Sequence, residues 1–132
     1  MKGFILISLI IATPFQVSSA ESAKSETTKL LEQLVLEFNK KTPLRVSPTQ
    51  QVVRMSSQKG ELTYHYKSSQ SDVKTFAIDR FVKDRTKELT GKICNEPSQK
   101  LFRDHKVIVN YEYMDKNDKS LATISINAGK CN

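Results

Sequence analysis

Cysteine is scarce: the chain of 132 residues holds two, Cys94 and Cys131. They lack the Cys-x-x-Cys spacing of a redox catalyst, and no further ligands are grouped near them as a zinc site would require. Glycine and proline number four each, and no glycine-rich phosphate loop is among them. Gly-x-Ser-x-Gly and His-Glu-x-x-His are also missing. Glu32, Glu37, Asp79, Asp84 and Glu88 are spread along helical segments and offer no close carboxylate pair for glycosidase chemistry. These absences turn the reading from catalysis towards binding or assembly. No internal repeat, linker or low-complexity tract divides the chain.

Long apolar runs are missing too. The longest, Phe4 to Ala12, is about half of the roughly 20 residues that a spanning helix needs. Its context is that of a secretory leader: Lys2 before it, Pro14 breaking it, and the small residues of Val17-Ser18-Ser19-Ala20 where a signal peptidase reads. Cleavage after Ala20 is the expectation, leaving residues 21–132 as one exported domain, with no stable membrane insertion. No cysteine lies near that point, which excludes an N-terminal lipid on cysteine. The net charge is +7 from 21 basic and 14 acidic side chains, and falls to +6 without Lys2. The basic residues are dispersed from Lys24 to Lys130, so nucleic acid is not an expected partner. A solvated surface is the plain reading, and weak attraction to anionic envelope polymers or lipid head groups the sharper one.

In an oxidising compartment two cysteines are most simply one disulfide, here closing a loop of about 37 residues. Leu30, Leu31, Leu34, Val35 and Phe38 recur at helical spacing, and Thr42-Pro43 ends that helix. Residues 21–28 before it are polar and expected to fray. Gln51 to Ser56 and Glu61 to Lys67 form a hairpin around Ser57-Gln58-Lys59-Gly60. In its second strand Leu62, Tyr64 and Tyr66 share an apolar face, and Thr63, His65 and Lys67 a wet one.

A long second helix is expected from an Asp72 cap, through Val73, Phe76, Ala77, Ile78, Phe81, Val82, Leu89 and Ile93, with Gly91 bending or ending it. Asn95-Glu96-Pro97 reads as a fresh start capped by Asn95. Lys106 to Met114 and Leu121 to Ile126 form a second hairpin around a turn at Asp115-Lys116-Asn117-Asp118-Lys119. The expected fold is therefore α+β: a single antiparallel sheet of about four strands, in the order α-β-β-α-α-β-β, with helices on one face and one disulfide.

Few residues suggest chemistry. His65 lacks a sequence-near carboxylate or second histidine and is read as a surface side chain. His105 follows Asp104 at the end of a short helix, where a cation suits the helix dipole; no nucleophile is identified for that pair. Asp115 to Asp118 lacks the glycine and closing glutamate of a calcium loop and is read as a turn. No metal or cofactor is expected. Tyr64, Tyr66, Tyr111 and Tyr113 form two Tyr-x-Tyr pairs that pave one sheet face if the hairpins are neighbours. Core packing is the favoured reading, and an aromatic partner groove the alternative.

Thr42-Pro43-Leu44-Arg45-Val46, Leu62-Thr63-Tyr64-His65-Tyr66, Ile93-Cys94-Asn95-Glu96-Pro97, Tyr111-Glu112-Tyr113-Met114-Asp115 and the closing Cys131 follow one another in a layout that resembles small bacterial envelope proteins including the AspS-type pilotins of type II secretion. The resemblance implies a sheet with helices on one side, Cys94 and Cys131 as the structural disulfide, and binding to the C-terminal tail of a secretin. This chain departs from it in having no lipid-accepting cysteine. The expected function is thus a non-enzymatic periplasmic protein, with full secretion as the alternative location, that binds an envelope protein such as a secretin or pilus component. The alternative is an inhibitor or immunity protein against a lytic enzyme or toxin. The candidate binding residues line a helix-side groove: Leu34, Phe38, Ile78 and Val82.

Overall fold

The computed structural model describes residues 19–131. The apolar leader therefore lies outside the described residues, as do the leader's Lys2 and Pro14. The elements are helix α1 (Ser19–Asn39), strands β1 (Leu44–Arg45), β2 (Gln50–Gln58) and β3 (Glu61–Ser68), helices α2 (Ile78–Asn95) and α3 (Lys100–Asp104), and strands β4 (Ile108–Met114) and β5 (Ser120–Asn127). A 3-10 turn at Pro97–Gln99 leads into α3, and another at Ala128–Lys130 follows β5.

Five strands form one sheet in the order β1-β2-β3-β4-β5. The two hairpins are present, but they join through a parallel β3–β4 pair. The sheet is mixed, not purely antiparallel, and β1 adds a fifth strand. A parallel pair needs a long crossover, and α2 and α3 supply it between β3 and β4. Lys59 and Gly60 both take positive φ, 49° and 78°. That is the geometry of a two-residue hairpin turn whose twist matches the strands.

Several expected boundaries move. α1 carries through residues 21–28, and Thr27 Oγ1 lies 3.1 Å from His105 Nδ1. The polar stretch is thus tied to the end of α3. α2 begins at Ile78, not near Val73: Asp72 caps a single turn, its carboxylate accepting from the Lys74 N–H at 2.9 Å and its carbonyl from the Thr75 N–H at 3.1 Å, and the turn is not continued. Val73 and Phe76, although helically spaced, pack from that loop onto the core. Gly91 sits inside α2 without ending it. Asn95 is its last residue, and no side chain caps the turn that follows. Arg103 closes the end of α2 instead, donating Nη1 to the Ile93 and Glu96 carbonyls at 2.7 and 2.9 Å.

The core lies between the sheet and the helices. α1 packs over β2 and α2 over β5, which places both helices on the face expected. Leu31, Leu62, Ile93, Val107, Val109 and Tyr113 are at most 1 % exposed. Asn39 clamps the free edge of β2 beside α1: its side chain accepts from the Met55 N–H at 2.8 Å and donates to the Met55 carbonyl at 2.9 Å. A strand edge left bare would invite pairing with another chain. Cys94 and Cys131 are bonded, joining the end of α2 to the tail that follows β5.

Candidate functional site

Because β3 and β4 run parallel, the first tyrosine of one pairs with the first of the other: Tyr64 opposite Tyr111, and Tyr66 opposite Tyr113. Their rings stack at 5.3 Å and 8° in the first pair and 4.9 Å and 17° in the second. The four rings pave the middle of the sheet between the two helices. Phe38 of α1 meets Tyr64 edge-on at 5.7 Å, and Phe81 of α2 meets Tyr113 edge-on at 4.9 Å. Such perpendicular contacts are favoured by the ring quadrupoles.

Tyr111 and Tyr113 are buried, while Tyr64 and Tyr66 are half-buried. Burial pushes all four phenols above their ordinary range, and the neighbouring rings add to this for Tyr66 and Tyr111. The pavement is therefore uncharged at any physiological pH. Arg85 of α2 donates Nε to the Tyr113 hydroxyl at 3.2 Å and Nη1 to Glu88 at 2.9 Å. It places an ion pair beside the rings.

Leu34, Phe38 and Val82 are half-buried and packed against the core. Ile78, also half-buried, stands at the first position of α2 and is not among the residues packed there. A largely apolar recess of about 400 Å³ opens beside α2. It is lined by Phe76, Ala77, Arg80, Phe81, Asp84, Arg85 and Glu88, so it uses neither Ile78 nor Val82. Phe76 and Phe81 meet there at 5.0 Å. Phe76 and Phe81 were legible as apolar members of the α2 region, but alternation along a helix does not say which apolar residues flank a gap.

The opposite face of the sheet corrects the reading of His65. It does lie on the face of Thr63 and Lys67, yet it is 5 % exposed. β3 is a central strand, and its neighbours close over the imidazole. Ser56 Oγ lies 2.8 Å from Nε2, and Glu112 Oε2 3.3 Å from Nδ1. The Nδ1–Glu112 approach is an ion-pair distance without hydrogen-bond alignment, so Nδ1 has no satisfied bond. Serine, histidine and glutamate stand here in the order used for nucleophilic catalysis. A hydrolase also needs a recess with donors aimed at an oxyanion, and neither of the two recesses described for this structure includes these residues. The trio is read as polar packing. His65→Ala is accordingly expected to destabilise the fold by roughly 2 kcal/mol through the lost packing and the orphaned partners. A urea titration gives the value, and an unchanged midpoint would restore the exposed reading.

No protein-family profile matches the sequence, and no curated protein matches it. Solved structures do match the fold. A candidate secreted protein from Pseudomonas aeruginosa superposes with a TM-score of 0.69 at 18% identity, covering 89% of this chain and 100% of that one. The pilotin EpsS of the Vibrio vulnificus type 2 secretion system gives 0.68 at 10% identity, covering 85% and 97%. The type II secretion system pilotin AspS from Vibrio cholerae gives 0.65 at 7% identity, covering 86% and 100%. In fold, then, this chain resembles the secretion pilotins.

Proposed function

We propose that this chain is an exported, non-catalytic binding protein that holds an apolar tail segment of a secretion-system component, a secretin foremost, in the valley between α1 and α2. The observation that carries the reading is the aromatic floor walled by Phe38 and Phe81, on which Tyr64 and Tyr66 are half-buried and rest on Tyr111 and Tyr113 of the core. The likeness to the two pilotins supports it. An amphipathic helix laid in such a groove buries its apolar stripe on the rings, while Arg85 offers a partner to a carboxylate or carbonyl on the segment. Leu34 and Phe38 serve as the α1 wall, and Ile78 and Val82 flank the α2 side. The enclosing compartment is the periplasm, reached through the leader cleaved after Ala20.

The test is titration of the isotope-labelled protein with a peptide of a secretin C-terminal tail. Leu34→Ala and Phe81→Ala are expected to weaken binding by roughly ten-fold each, the scale of a buried anchor side chain. Thr63→Ala and Thr123→Ala, on the other sheet face, should leave it unchanged. Shifts confined to that other face would refute the groove. Capture of a lytic enzyme from periplasm, with no response to the tail peptide, would favour the inhibitor reading.

A further inference from the structure

A second recess, of about 210 Å³, shares no residue with the apolar one. It lies where the parallel strand β3 ends, beside the loop between β1 and β2. Arg45, Lys67 and Lys116 line it together with the hydroxyl residues Thr49, Ser68 and Ser69. No acidic residue lines it. Lys67 is paired with Asp118 at 2.7 Å, whereas Arg45 and Lys116 have no ion-pair partner among the described residues. Two positive charges are therefore left uncompensated at one cavity.

The walls are held in place by their own side chains. Ser47 Oγ accepts from the Thr49 and Gln50 N–H groups at 3.3 and 3.0 Å. Ser68, 5 % exposed, accepts from the Gln70 and Ser71 N–H groups at 3.2 and 2.9 Å. With both approaches to its oxygen taken, the Ser68 hydroxyl proton has no acceptor among the described residues. A forked guanidinium, two ammonium groups and a spare hydroxyl donor form the donor set that suits a tetrahedral oxyanion.

We propose that this cavity is a binding site for a phosphate monoester, whose two negative charges balance the two uncompensated cations. A lone carboxylate balances one. This site goes beyond the tail-binding reading and stands independently of it. A phosphate head group on a lipid and a free phosphate ester are the two sources of the same chemistry.

The experiment titrates the labelled full chain with inorganic phosphate at fixed ionic strength. Saturable shifts are expected at Thr49, Gln50, Ser68 and Ser69, with acetate bound roughly ten-fold more weakly or worse. The double substitution Arg45→Gln with Lys116→Gln should abolish saturation, while Lys92→Gln with Lys130→Gln, an equal loss of charge elsewhere, should preserve it. Melting curves confirm that both variants fold. Vesicles of phosphatidylcholine with phosphatidic acid then separate the sources. Flotation that inorganic phosphate competes away identifies a lipid head group; saturable phosphate binding without flotation identifies a soluble ester. Unsaturable shifts spread over the basic surface, acetate binding as tight as phosphate, or equal losses in both double variants would overturn the proposal.

Discussion

Replacing Cys131 with serine is expected to remove about 3 to 4 kcal/mol of stability, the chain-entropy value for a loop of this length. The bond to Cys94 spans a sequence separation of 37. It fixes the end of α2 to the tail behind β5, next to Ile93 and Ala128, which are 0 % and 1 % exposed. Without it, the outermost strand β5 and the helix packed on it are joined through the whole last third of the chain. Cys94→Ser should reproduce the loss, because each variant removes the same constraint. Chemical denaturation of both variants, with thiol titration of the native protein, decides the matter. Reactive thiols in the native protein, or unchanged midpoints in the variants, would contradict a structural bond.

Asp115→Ala should lower Tm by roughly 10 °C, the scale of a broken buried hydrogen-bond cluster in a domain of this size. Asp115 follows β4 and is 0 % exposed. Its carboxylate accepts from the backbone N–H groups of Asn117, Lys119 and Val73 at 2.8, 2.9 and 3.1 Å. The first two shape the β4–β5 turn, and the third fastens the loop before α2 to it. Burial alone pushes the carboxyl up, but these three donors and the nearby Lys119 ammonium hold it below its ordinary range. A depressed carboxylate contributes stability that is present above its unfolded value and lost as pH falls through the folded one. The wild type should therefore lose stability steeply on its acid limb. Asp115→Asn should be less stable near neutrality, with a shallower acid limb. Parallel acid limbs in the two proteins would show that another group carries the acid sensitivity.

Alternation in the sequence was enough to place Leu62, Tyr64 and Tyr66 on one face and Val109, Tyr111 and Tyr113 on another. The structure joins these into one pavement, and the two cysteines pair as expected. What alternation could not show was strand direction, since a period of two looks the same in parallel and antiparallel ladders. The helices between β3 and β4 make a connection long enough for a parallel return, which a short turn would have excluded. His65 was misread for a related reason. Its face was right, but a residue midway across a sheet is covered by side chains from both neighbouring strands: Ser56 reaches it diagonally from the position opposite Thr63, and Glu112 from the position opposite His65 itself. The α2 start was misplaced because Val73 and Phe76 fit a helical period, while Asp72 caps only one isolated turn before the chain reaches Ile78. The cation-lined recess left no linear trace at all. Arg45, Lys67 and Lys116 come from three separate parts of the chain, and only the fold assembles them.

The parallel joint at the centre of the sheet also governs the order in which the molecule can assemble. Each hairpin brings together residues close in sequence and can form early and alone. The contact between Thr63 and Asn110 across the joint spans 47 residues, and every tyrosine stack depends on a pairing of that kind. Closing so long a loop costs entropy before any ring contact compensates, which slows chains rich in distant contacts. The aromatic floor is thus expected to be a late-maturing surface, complete once the two halves of the sheet have found each other.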